Sequence, residues 1–152
     1  MGEAVLQMAV LTFVLPGIPL IYTGQEAGNT KRLEFFEKDY IQPSDSVFFK
    51  DFYKGLITFK KSSAALQVPP YGGVLKEVPH TGPSSVFAFT RETEGNRVLA
   101  LFNFSDQSVS FRLTGTQADG MYTDWKGQTG YNVTSEHTWE MGPHGYLVLT
   151  LN

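Results

Sequence analysis

The stretch GIPLIYTGQE, residues 17–26, decides how the rest of the chain is read. Ile18 to Tyr22 is too short for a helix and apolar on both faces, the pattern of a parallel strand covered on both sides rather than of an antiparallel strand with one wet face. Pro16-Gly17 separates it from residues 3–15, where good helix formers (Ala4, Leu6, Met8, Ala9, Leu11) carry apolar side chains all round. That composition predicts a helix buried on most sides. An apolar helix, a tight break and a doubly buried strand make an α/β unit, and such a strand requires neighbours that the following residues do not supply.

Beyond it the composition turns polar. Gly24 to Ser44 reads as a long loop without periodic pattern, and loops of that length inside compact domains are uncommon unless they serve function. Within it EFFEKDY, residues 34–40, reads as a solvated charged segment around two anchoring aromatics. Helical periodicity returns over residues 45–61, where Phe48, Phe52, Leu56 and Phe59 form one stripe widened by Phe49, Tyr53 and Ile57. Its ends suit the macrodipole, with Ser44 and Asp45 at the start and Lys60-Lys61 at the close.

After QVPPYGG, residues 67–73, the pattern becomes strand after strand. Strands are expected at 85–91, 97–104, 107–113, 121–125, 137–141 and 145–151, with Gly127, Gly130, Gly142 and Pro143 between the later ones. The second places Val98, Ala100, Phe102 and Phe104 on one face and Leu99 and Leu101 on the other, which marks it as central; the third alternates, with Val109, Phe111 and Leu113 inward. Short strands at this spacing argue for an antiparallel sandwich.

The 152 residues are 41% apolar and 14% aromatic, enough for a core and unlike a disordered tail. A net charge of -3 with both signs interspersed gives no footprint for nucleic acid and no basic run for a membrane surface. The apolar start does not read as a membrane span or secretory leader, because Gln7, Pro16, Gly17 and Pro19 interrupt it and no Lys or Arg precedes Lys31. With no Cys, disulfides and thiolate chemistry are excluded; His80, His137 and His144 lack ligand spacing, so neither a metal site nor a cofactor is expected.

Three motifs taken together, LTFVLPGIPLIYTGQE, FYKGLITFKKSSAAL and SSVFAFTRETEGNRVLALFNFSD, resemble the carboxyl-terminal part of the alpha-amylase superfamily, glycoside hydrolase family 13. The resemblance implies a mainly β chain: an antiparallel β-sandwich of the amylase domain C type, over residues 67–152, preceded in residues 1–66 by a helix-strand-helix remnant of a (β/α)8 TIM barrel. Ile18 to Tyr22 would be the eighth strand and residues 45–61 the eighth helix. The complete enzyme would act on an alpha-glucan or maltooligosaccharide through a covalent glycosyl intermediate. Retaining glycosidases need a nucleophile and an acid/base carboxylate about 5 Å apart; in this family these come from strands that would precede Met1. No catalytic residue is therefore carried over, and this chain alone is expected to be inactive.

Active sites of such barrels lie at the carboxyl ends of the strands, which makes Tyr22, Glu26 and Arg32 the candidate substrate-binding residues. Glu26 has an alternative reading as a capping or ion-pair carboxylate that holds the loop to Lys31 or Arg32. A second functional class is a non-catalytic carbohydrate-binding or structural β-sandwich module, with Trp125 or Trp139 as a sugar platform; each Trp sits in a strand pattern where an aromatic fills a core, and core packing is the favoured reading of both. An isolated Ile18–Tyr22 ribbon would leave edges and apolar faces open, so self-association through residues 3–22, or repacking against the helix at 45–61, is expected.

Overall fold

The computed structural model describes residues 4–41 and 47–152. Its carboxyl-terminal half contains, in chain order, β1 (Val74–Glu77), β2 (Val86–Thr93), β3 (Asn96–Asn103), β4 (Val109–Arg112), β5 (Gly120–Asp124), β6 (Gly130–Val133), β7 (Thr138–Met141) and β8 (Tyr146–Leu151). The six expected strands are all present, and β1 and β6 join them. Six strands form one sheet in the order β1-β2-β3-β8-β5-β6, while β4 and β7 form a separate two-stranded sheet; every pairing is antiparallel. The architecture is the mainly β, antiparallel sandwich that the patterning implied.

The apolar run of β3 explains how the layers stack. It pairs with β2 from Arg97↔Glu92 to Phe102↔Phe87 on one edge and with β8 from Arg97↔Leu151 to Phe102↔Tyr146 on the other. Val98, Leu99, Ala100, Leu101 and Phe102 are all fully buried. Because side chains alternate along a strand, Leu99 and Leu101 pack toward Phe111, Leu113, Trp139 and Met141 of the small sheet and its margin, whereas Val98, Ala100 and Phe102 join Phe89 beneath two helices. A strand apolar on both faces is here the middle of three layers.

The α-helices are α1 (Val5–Val14), within the span expected at 3–15, and α2 (Val47–Ser62), which runs one residue past the span expected at 45–61. Ser44 and Asp45, the expected start of the second, lie outside the described residues; Lys60 and Lys61 occupy its last turn. Phe52, Tyr53, Leu56 and Phe59 of α2 are buried, and the Tyr53 ring lies 6.4 Å from that of Phe13 in α1. Gln7, the residue that interrupts the apolar helix, is 1% exposed and donates through Nε2 to the carbonyls of Asn103 at 2.7 Å and Gly145 at 3.0 Å. A polar group buried at that depth needs partners, and these tie α1 to the sandwich. Among the described residues no helix is long and apolar enough to cross a membrane.

The ribbon Ile18–Tyr22 departs from the doubly covered strand expected of it. Residues 18–22 are not part of any ladder, and Ile18 and Leu20 are 85% and 80% exposed. A strand is held by N–H and C=O groups of a neighbour, and no such neighbour exists among the described residues, so the doubly buried strand is realised as an unpaired segment. Repacking is partial: Ile21 meets the helix-side core, and Ile18 and Pro19 share a cavity of about 250 Å³ with Ile57 and Lys60 of α2.

Candidate functional site

Immediately after the ribbon the backbone folds into a compact turn. The Gln25 amide donates to the Tyr22 carbonyl at 3.0 Å, the Asn29 amide to that of Gly24 at 2.9 Å, and the Gln25 side chain accepts from the Tyr22 amide at 2.7 Å. Gly28 closes this turn with φ +67°, and a Cβ there would meet the Phe49 ring of α2 at 2.6 Å, so the position requires glycine on both counts. The turn is thereby seated against α2.

Of the three candidate substrate-binding residues, Tyr22 is 60% exposed, and Glu26 and Arg32 are also exposed. Glu26 accepts from the Gly24 amide at 3.1 Å, which is the capping arrangement; the proposed pairing with Lys31 is not formed, because Lys31 Nζ donates to Asp39 at 2.6 Å. Among the described residues no hydrogen bond joins Tyr22, Glu26 and Arg32 to one another. Glu26 also lies close enough to Tyr53 that its charge adds to burial in pushing the phenol pKa up.

Asp39 is the organiser of the loop, a role its sequence did not reveal. Besides Lys31 it accepts from the amides of Glu34 at 3.0 Å and Tyr40 at 2.8 Å. These bonds, the one from Lys31 foremost, hold its carboxyl at a pKa of about 2. Phe35 and Phe36, expected as anchors, are 89% and 92% exposed and meet each other edge-on at 4.8 Å. The polar tie through Asp39 supplies the anchoring instead, and the aromatic pair projects outward.

A second group of polar side chains lies buried where the helices meet the sandwich. Arg91 of β2 is fully buried and has no carboxylate partner among the described residues. Its Nε donates to the Gly73 carbonyl at 2.8 Å, one terminal nitrogen to Gln67 at 2.8 Å, and the other to Val14 at 3.2 Å and Leu15 at 3.3 Å. Lys60 adds bonds to the carbonyls of Phe13 and Leu66, each at 3.0 Å. Two cations thus satisfy the open carbonyls at the carboxyl end of α1, where the helix dipole favours positive charge. Burial lowers the pKa of both, and Lys60, with Arg91 as the secondary cause, is brought to about 8.

Asn96 and Asn103 continue this seam. Asn96 Oδ1 accepts from the Ser63 hydroxyl at 2.7 Å and the Ala65 amide at 2.9 Å, capping the 3-10 turn Ala64–Leu66, while Asn103 Nδ2 donates to Gln107 at 2.7 Å and Gly142 at 2.9 Å. The sequence contained a signal for Arg91: it falls in phase with Phe87 and Phe89, and a charge on the inward face of a strand calls for partners. Trp139 is 4% exposed in the core between the sheets, stacked at 6.2 Å on Tyr131. Trp125 is only half-buried, packed edge-on against Phe52 at 6.4 Å and tilted against Phe59 at 5.9 Å. Among the described residues no group of three potential metal ligands gathers.

Comparison with known proteins places this arrangement. Residues 77–148 match the family described as Maltogenic Amylase, C-terminal domain. Alpha-amylase 2 of Dictyoglomus thermophilum is 30% identical over 123 residues, 73% of this chain and 20% of that protein. Among solved structures, the noncanonic maltogenic alpha-amylase AmyB from Thermotoga neapolitana superposes with a TM-score of 0.77 at 15% identity, over 99% of this chain and 36% of its own. AmyP in complex with maltose gives a TM-score of 0.73 at 13% identity, over 99% and 35% respectively. The chain spans about a fifth of the length of the curated relatives it matches. At 15% identity a structural likeness speaks for fold alone, but the family match and the curated relative carry the assignment further. The family match over residues 77–148 and the curated relative together support the chain as a carboxyl-terminal segment of a glycoside hydrolase family 13 enzyme, of the alpha-amylase superfamily.

Proposed function

We propose that this segment serves an alpha-amylase-type glycosidase acting on alpha-glucans or maltooligosaccharides, with residues 1–66 completing the barrel and residues 67–152 forming domain C. The match of residues 77–148 to the maltogenic amylase C-terminal family is the observation that carries this reading. The maltose held by AmyP supports the substrate class. In this reading the catalytic carboxylates belong to barrel strands outside the chain, and the chain alone hydrolyses nothing. Its work is to hold the last barrel elements in place through Gln7, Lys60, Arg91 and Asn96, and to present the loop of Tyr22, Glu26 and Arg32 to the cleft.

The role assigned to that loop is substrate positioning. Tyr22 offers an aromatic face to a pyranose ring, Arg32 offers donors to its hydroxyls, and the Asp39 tie fixes the loop in advance. In a complete enzyme carrying this segment, Tyr22→Ala and Arg32→Ala are expected to raise KM for maltotriose several-fold with kcat nearly unchanged, the signature of lost uniform binding. Unchanged KM in both would remove the loop from the cleft. The 152 residues by themselves should release no reducing ends from amylose; release would overturn the reading.

The exposed Ile18 and Leu20 support a further part of the proposal, that the isolated chain self-associates through residues 3–22. Sedimentation should then give a concentration-dependent mass that Leu20→Ser reduces to the monomer.

A further inference from the structure

We propose that the groove between α2 and the turn joining β5 to β6 is an accessory α-glucan-binding site, separate from the loop of Tyr22. The groove has a volume of about 660 Å³, within the range of ligand pockets. Its floor is aromatic: Phe48 stacks on Phe52 at 6.1 Å with their planes 10° apart, and Trp125 meets Phe52 edge-on. Gly55 makes room for the indole, since a Cβ there would come within 3.2 Å of Trp125 Cζ3. Trp125 stands just beyond β5, held by the bond from its amide to the Val148 carbonyl at 3.0 Å.

The rim determines which chemistry the groove suits. Asp51 and Lys54 project from α2, and Lys126 and Gln128 from the opposing turn. This turn is itself fixed, with the Gln128 amide donating to Asp124 Oδ1 at 2.7 Å and the Gly127 amide to the Asp124 carbonyl at 2.7 Å. A carboxylate, ammonium groups and a carboxamide around an aromatic floor accept and donate to a ring of hydroxyls. Asp51 stands among Lys54 and Lys126, the latter with its ammonium 5.4 Å from the Trp125 ring centre, so the rim is of mixed sign rather than a cationic cluster built for phosphate or an acidic one built for a cation. A neutral ligand with an apolar face and polar edges satisfies floor and rim together, and a pyranose has that form. The choice of an α-linked glucan rests on the proposed function; the existence of the groove does not.

The two tryptophans make the test direct, because Trp139 is core and Trp125 faces the groove. Titrating the 152-residue chain with maltotriose while following tryptophan emission should give a saturable change and protection from acrylamide quenching. In Trp139→Phe the change should persist, and in Trp125→Phe it should vanish. Asp51→Ala and Gln128→Ala alter exposed rim groups, and each should weaken binding about tenfold, whereas Tyr22→Ala should leave it unaltered. Cellotriose should give no saturable change. A flat titration of the native chain, an equal response to cellotriose, or a response that survives Trp125→Phe with Asp51→Ala overturns the accessory site. Those outcomes leave the cleft loop untouched, since that reading stands on KM in the complete enzyme.

Discussion

β3 and the ribbon Ile18–Tyr22 have the same sequence character, apolar on both faces, and end in opposite surroundings. The strand lies between a helix layer and a second sheet with five consecutive apolar residues fully buried, while the ribbon leaves Ile18 and Leu20 in solvent. Patterning records what a segment is suited to touch, and the chain then has to provide it. For β3 the partners are encoded within the following and preceding residues. For the ribbon they are not among those described.

The comparison can be broken most directly by truncation. Leu99→Ala should destabilise the fold by about 2–5 kcal/mol in urea denaturation, since the site is closed on all sides and cannot collapse freely. Ile18→Ala should fall within about 0.5 kcal/mol. Equal effects would mean that the ribbon is buried after all. Next in size is the buried cation that joins the two regions. Arg91→Met deprives the carbonyls of Val14, Leu15, Gln67 and Gly73 of their donor, and a loss of about 3 kcal/mol or more is expected. Arg91→Lys keeps the charge without the planar fork and should recover only part of it.

Two pH effects sharpen the contrast further. The folded pKa of Lys60, about 8, lies below its ordinary 10.5, so between those values the folded chain binds fewer protons than the unfolded one. Stability should therefore rise with pH from about 8 toward 10.5, and Lys60→Met should flatten the rise. Tyr53, Tyr122 and Tyr146, all pushed above 10.0 by burial, act in the opposite direction once unfolded tyrosines ionise. The smallest effect is local. Asp39, depressed from 3.8 to about 2, secures its loop fully above the ordinary value and loses its hold as pH falls toward 2. Protection at the amides of Glu34 and Tyr40, taken against their intrinsic exchange rates at each pH, should fall over that range while the β3 amides stay protected.

Most of the sandwich was legible because strand patterning is a short-range signal. Val109, Phe111 and Leu113 announced their inward face, and the double-sided run at 98–102 announced a central strand with two coverings. The helix stripes were equally plain. What could not be read was which partners a polar or aromatic side chain would meet. Asp39 looked like one acid among several in a charged loop, and only the fold brings Lys31 and the amides of Glu34 and Tyr40 around it. Phe35 and Phe36 looked like anchors because adjacent aromatics are common in cores, yet nothing described in this chain covers them. Glu26 had two readings, and the bond to Gly24 follows the capping one.

Gln7 and Asn103 show the same limit in the core. Each is an ordinary polar residue in an apolar run until its partners, 96 and 39 residues away, are known.

The fork of Arg91 has a consequence for biosynthesis. It closes the carboxyl end of a helix 77 residues upstream, so as the polypeptide leaves the ribosome α1 emerges first and waits, its terminal carbonyls unmatched, until β2 is made. Chain elongation at about 5–20 residues per second makes that wait several seconds. Until then the face of α1 that packs with Phe89, Val98 and Phe102 lacks those partners, and chaperone engagement at that face should persist over the same interval.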